Sequence, residues 1–190
     1  MHISEIKKNA KAQLNGNWGL SIGVYILTMV ILGAVSFTFV GTILIGGPMM
    51  IGLTTYFVHL VRKQNNDFND IFSGFNNFVR NFLYYLLSSI YIFLWSLLFI
   101  IPGIIKALSY SMAPYIIYDN PNIDANDAIT QSKEMMKGHK WELFCLYLSF
   151  IGWLLLSVLT FGILYMVYVG PYMMTAQANF YEQLKAQQNQ

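Results

Sequence analysis

Charge is what this sequence lacks. Only 11% of its 190 residues are Asp, Glu, Lys or Arg, against about 25% in a typical soluble domain. That is too little to cover the surface of a water-soluble globule or to keep a tail disordered, so both classes are excluded. A net charge of +2 offers a polyanion little, which excludes a nucleic-acid binder. Cysteine is almost absent. The single thiol, Cys145, forms no intrachain disulfide and supports no cysteine-based metal cluster; it is expected as a small apolar residue inside a membrane helix. No metal-ligand cluster is read around His2, His59 or His139, and neither a P-loop nor a G-x-S-x-G elbow is present. Paired acids occur only in the polar segments, so neither an enzyme nor a cofactor is expected.

What is present is apolar. Hydrophobic residues make up 56% of the chain and aromatics 16%, with 13 Tyr and 14 Phe suited to headgroup level. A membrane helix needs roughly 20 mostly apolar residues. Runs of that kind extend over Trp18 to Val40, Thr42 to Val61, Asn81 to Ile101, Trp141 to Leu159 and Phe161 to about Tyr181. Ile104 to Tyr118 is shorter, carries Lys106 and Pro114, and is expected as an irregular span. The runs are continuous rather than alternating, so a barrel is not expected.

With six spans, ten of the eleven basic residues fall on one side: Lys7, Lys8, Lys11, Arg62, Lys63, Arg80, Lys133, Lys137, Lys140 and Lys185. The positive-inside rule makes that side the cytoplasm and puts both termini there. The expected fold is therefore all-α: a single integral membrane domain over 1–190, with six transmembrane helices as three hairpins. The first run, with its basic leader and Ala34-Val35-Ser36, resembles a signal peptide, but it exceeds the usual ~7–15-residue apolar core.

A repeat also speaks against cleavage. Shifting the chain by 123 positions lays Trp18 on Trp141, Gly47-Pro48 on Gly170-Pro171, Met50 on Met173, Phe57 on Phe180 and Arg62 on Lys185. The units run from about 3–63 and 126–186, with a middle hairpin over about 81–118. Both enter from the same side, as parallel repeats do; in transporters such repeats build a site at their interface.

A polar helix opens each unit. Ile3, Ile6, Ala10 and Leu14 recur at helical spacing, and so do Ala128, Ile129, Ser132, Met135 and Met136 behind Asp124 as N-cap, with Gly138 as the stop. Both are expected as amphipathic helices in the interface, anchoring the next span or docking a partner or anionic lipid through Lys133, Lys137, Trp18 and Trp141. Phe68, Phe72, Phe75 and Phe78 form an aromatic stripe suited to the headgroup region. Lys106 is the one charge inside a run. It stands three residues past Pro102-Gly103, about 5 Å along a helix from the outer surface, where it snorkels or faces a ligand. His59 and Glu142 are expected at the interface, and Asp119 as the end of the fourth span. Gly47, Pro48, Pro102, Gly103, Gly170 and Pro171 are candidate helix breaks.

The stretch from Ile100-Ile101-Pro102-Gly103 to Ala113-Pro114-Tyr115 resembles a known family. So do Ala128-Ile129, the run Ser132 to Trp141, Ser149-Phe150-Ile151-Gly152-Trp153 and Gly170-Pro171-Tyr172. The family consists of small integral membrane proteins of Gram-positive bacteria, catalogued as a domain of unknown function (number nine-seven-five). The chain is more distantly similar to the membrane domain attached to some glycerophosphodiester phosphodiesterases. The resemblance implies a multi-span plasma-membrane fold and transfers no catalytic residue. Two functions are expected. One is a transport, export or immunity protein handling an apolar or amphipathic ligand, its cavity lined by Lys106, Tyr110 and Pro114. The other is a non-catalytic scaffold docking lipid or a membrane or cytoplasmic protein.

Overall fold

Helix α1, Ile3–Leu14, forms where apolar residues recur every fourth position: Ile6, Ala10 and Leu14 are fully buried, and Lys8 and Lys11 point outward. The computed structural model describes residues 2–98 and 100–188, which are mostly helical with no strand among them. Phe99, inside the third expected run, lies outside the described residues. After α1 come α2, Trp18–Val35, and α3, Phe39–Val61. A 3₁₀ segment, Phe68–Phe75, leads into α4, Phe78–Leu98, and then α5, Ile100–Tyr110, and α6, Ala113–Asp119. The chain ends with α7, Ala125–Met135; α8, Lys140–Leu148; α9, Ile151–Leu159; a π-helical turn, Tyr165–Val169; and α10, Gly170–Gln188.

Among the described residues, five stretches are long and apolar enough to cross a membrane: Trp18–Val35, Gly41–Val61, Phe78–Leu97, Ile100–Asp119 and Lys140–Leu159. The sixth expected run, Phe161 to Tyr181, is not one of them. Phe161 and Gly162 turn the chain with φ of 51° and 82°, the π-helical turn follows, and α10 then carries Gln177, Asn179, Glu182 and Lys185.

The fourth run is broken between Tyr110 and Ala113, and Pro114 takes the second position of α6, where its missing N–H costs nothing. A side chain from α7 repairs the break. The buried Ser132 hydroxyl accepts the Met112 N–H at 3.1 Å and donates to the Ser109 carbonyl at 2.8 Å. Gly47 and Pro48, by contrast, do not end a helix: α3 runs through them. Here the absence of a Cβ serves packing. Gly47 lies against the Asn81 backbone and Tyr85, while Gly52 and Gly74 bring α3 against the 3₁₀ segment at Ile71 and Pro48. Pro102 and Gly103 likewise lie inside α5, in its first turn, where proline is tolerated. Gly170-Pro171 does mark a junction, from the π turn into α10.

The core joins α1, α3, α6 and α10. Ile6, Leu14, Tyr56, Phe57, Ile117 and Phe180 are among its fully buried side chains. Helices α1 and α10 are tied by amides, since Gln13 donates to Asn179 at 3.1 Å and Asn179 donates back at 2.5 Å.

Three variants probe this packing. Gly52→Ala is expected to destabilise the purified protein by about 1–3 kcal/mol, because its Cβ meets rigid Ile71 backbone, whereas Gly19→Ala, which meets nothing, leaves the melting temperature in detergent unchanged. Ser132→Ala strands the Met112 N–H and is expected to cost about 1–3 kcal/mol in the same measurement.

Candidate functional site

Two polar constellations stand out. The first is a groove between α4, α5 and α7, of about 320 Å³. Ala125, Ala128 and Ile129 are buried on the inner side of α7, so its Asn126, Thr130 and Lys133 are left at the exposed edge. From α4 come Tyr91 and Trp95, and from α5 come Lys106 and Tyr110. The Lys106 ammonium lies 4.3 Å from the centre of the Trp95 ring, a cation–π geometry. The Tyr110 ring packs 6.3 Å from Tyr91. Lys106 and Tyr110 thus come together as expected of one site, but Pro114 is buried in α6 and does not line the groove. Lys106 also shares the groove with Lys133, a residue expected on the opposite membrane face.

The second constellation centres on Asp119, expected only to end a span. Its carboxylate, 10% exposed, receives Arg62 Nη1 at 2.7 Å, Lys185 Nζ at 2.6 Å and the Tyr181 hydroxyl at 2.7 Å. Arg62 also holds Glu182, at 2.7 Å from Nη2 and 2.8 Å from Nε. Burial works against the Arg62 charge, but the bonds to Asp119 and Glu182 outweigh it and hold the guanidinium above its ordinary pKa. This junction joins the ends of α3, α6 and α10. The signal for it was present: Arg62 and Lys185 are equivalent at the 123-residue shift, and Asp119 and Glu182 each stand directly after an apolar run.

The other singled-out residues hold structure together. His59 Nδ1 meets Asp70 at 2.9 Å and packs edge-on to Tyr118, pinning the 3₁₀ segment to α3. Glu142, expected at the interface, lies 2.8 Å from His139 Nδ1. Trp18 stacks on Tyr168 at 5.1 Å, while Trp141 is exposed beside Phe144. Lys137 pairs with Glu134 at 2.5 Å on the exposed side of α7. The phenylalanine stripe is continuous with α4: successive rings from Phe72 through Phe75 and Phe78 to Phe82 lie 6.5, 6.4 and 6.2 Å apart. One lysine is drawn inward. Lys7 donates to the Ser149 carbonyl at 2.9 Å and lies over the Phe150 ring, and burial lowers its pKa.

The family model described as "Protein of unknown function (DUF975)" matches residues 1–109 and 97–188. The chain belongs to this family. No curated protein and no solved structure matches it. The family description names no activity, so a functional reading rests on the geometry of the groove and the junction.

Asp119→Ala leaves Arg62 and Lys185 without their shared acceptor and is expected to destabilise the protein strongly, toward the lower end of the about 3–5 kcal/mol typical of breaking a buried pair. Glu134→Ala removes only an exposed pair and should leave the thermal midpoint where it was.

Proposed function

We propose that the protein is a non-catalytic membrane scaffold: a polar body held on the cytoplasmic face of a bacterial plasma membrane by three apolar hairpins. One observation carries this reading. Among the described residues, large apolar side chains are exposed along α2–α3, from Phe68 to Ile105 and from Leu148 to Val167, whereas α1, α6, α7 and α10 expose none. Phe161 is 97% exposed and Phe37 93%, an arrangement unfavourable in water and natural in lipid. In this reading six apolar runs pair as three hairpins, with Phe161 to Tyr181 as the final return leg. The charged connections and both termini share the cytoplasmic side.

The repeat finds support in equivalent placements. Phe57 and Phe180 are both fully buried, Arg62 and Lys185 both bind Asp119, and α7 overlaps the segment equivalent to α1. Lys133, Lys137 and Trp141 are exposed in the body's outer surface and offer docking contacts to lipid or a protein partner. The transport reading is the weaker one. It asks Lys106, Tyr110 and Pro114 to line one cavity, and Pro114 is packed in the core instead.

Single cysteines placed in a Cys145→Ser background test the arrangement with a membrane-impermeant maleimide. Cysteines at Ala12, Asn65, Asp127 and Gln187 should all react from the cytoplasmic face, in inverted vesicles, and those at Phe37 and Phe161 should not. Labelling of Asp127→Cys and Ala12→Cys from opposite faces would sink the reading.

A further inference from the structure

We propose that the groove between α4, α5 and α7 binds the phosphate-bearing headgroup of an anionic phospholipid. This inference rests on the scaffold reading and names the lipid that its docking surface takes. The charges come first. Lys106 and Lys133 both line the groove. Of the acids near them in sequence, Glu134 is engaged by Lys137 at 2.5 Å and Glu142 by His139 at 2.8 Å, and Asp127, exposed on α7, is not among the residues that line the groove. The groove's lining thus holds two lysines and no carboxylate, and an anion seated there would relieve their repulsion.

Its other walls fit a headgroup better than a free ion. Asn126, Thr130 and the Tyr91 hydroxyl provide neutral hydrogen-bonding groups, and the Trp95 indole holds the Lys106 ammonium at the rim. A tryptophan and a lysine paired in this way suit the interfacial layer of a bilayer. Farther along the same two helices Leu97 is 66% and Ile101 71% exposed, and Leu94 and Ile105 are exposed as well. Acyl chains can lie against these side chains while the phosphate occupies the groove. A volume of about 320 Å³ is enough to admit a glycerophosphate group. The sidedness agrees. Lys133 is in a connection assigned to the cytoplasm, so Lys106, which shares its groove, faces the cytoplasmic side of the α4–α5 hairpin rather than the outer surface.

The test uses the full-length protein in zwitterionic detergent, titrated with phosphatidylglycerol, phosphatidylcholine or inorganic phosphate, with bound lipid counted by native mass spectrometry. Phosphatidylglycerol should bind the unaltered protein, and the double variant Lys106→Gln, Lys133→Gln should weaken it about tenfold or more. The variant Lys8→Gln, Lys11→Gln removes the same charge from α1 and should change binding less than about twofold. Equal losses in the two double variants, or no loss in either, would overturn the proposal. So would inorganic phosphate competing at concentrations equal to the lipid, or phosphatidylcholine binding as tightly. Thermal midpoints without lipid establish that the variants are folded. A second measurement stands apart from lipid affinity: Lys106→Cys and Lys133→Cys, each in the Cys145→Ser background, should react with impermeant maleimide from the same face. Reaction from opposite faces refutes the groove as a single headgroup site, while the labelling of Ala12, Asn65, Asp127 and Gln187 judges the scaffold reading independently.

Discussion

A carboxylate taken largely out of water is stable only if its oxygens are met by donors, and Asp119 is met from two directions. Arg62 reaches it from the end of α3, and Lys185 and Tyr181 reach it from α10. Glu182 takes the remaining face of Arg62, so two acids balance two bases within one junction. The consequence is architectural. The ends of α3, α6 and α10 must converge, and α6 can lie against α3 only because the fourth apolar run is broken before Ala113. Without that break Asp119 would project along the axis of α5, away from its partners.

The break has a cost of its own, since interrupting a helix frees backbone groups that a nonpolar environment cannot satisfy. Ser132 satisfies two of them, the Met112 N–H and the Ser109 carbonyl, and Ser132 belongs to α7. Docking α7 to repair α5 places its outer edge beside Lys106, so the same contact that closes the backbone assembles the lysine groove. The junction, the break and the groove are successive consequences of one arrangement. Because α7 contributes its buried alanines and Ile129 to the core, its polar edge is fixed rather than free to drift.

Much of the local structure is legible in the residues. The four-residue spacing of Ile6, Ala10 and Leu14 announces a half-buried helix, and α1 buries those three. Gly138 follows α7 with φ of 81°, the left-handed conformation expected of a helix stop. Gly47 and Pro48 mislead, because a pair that often ends a helix is used inside α3 to admit Asn81 and Tyr85 at close range. Phe161 to Tyr181 is legible only in part: its composition suits a span, while the π-helical turn and the polar residues of α10 along it are set by the fold. Periodicity reports which face of a segment is apolar; it does not report what that face meets.

The scarcity of charge alone determined that this chain exposes apolar surface, because 11% charged residues cannot cover it. Which charges meet was decided only by the tertiary structure. Lys106 and Lys133 are 27 positions apart, and Arg62, Asp119 and Lys185 span most of the chain. Spacing in a sequence constrains contacts within a helix, whereas contacts between helices depend on how their buried faces pack. Asp119 and Lys106 owe their partners to that packing.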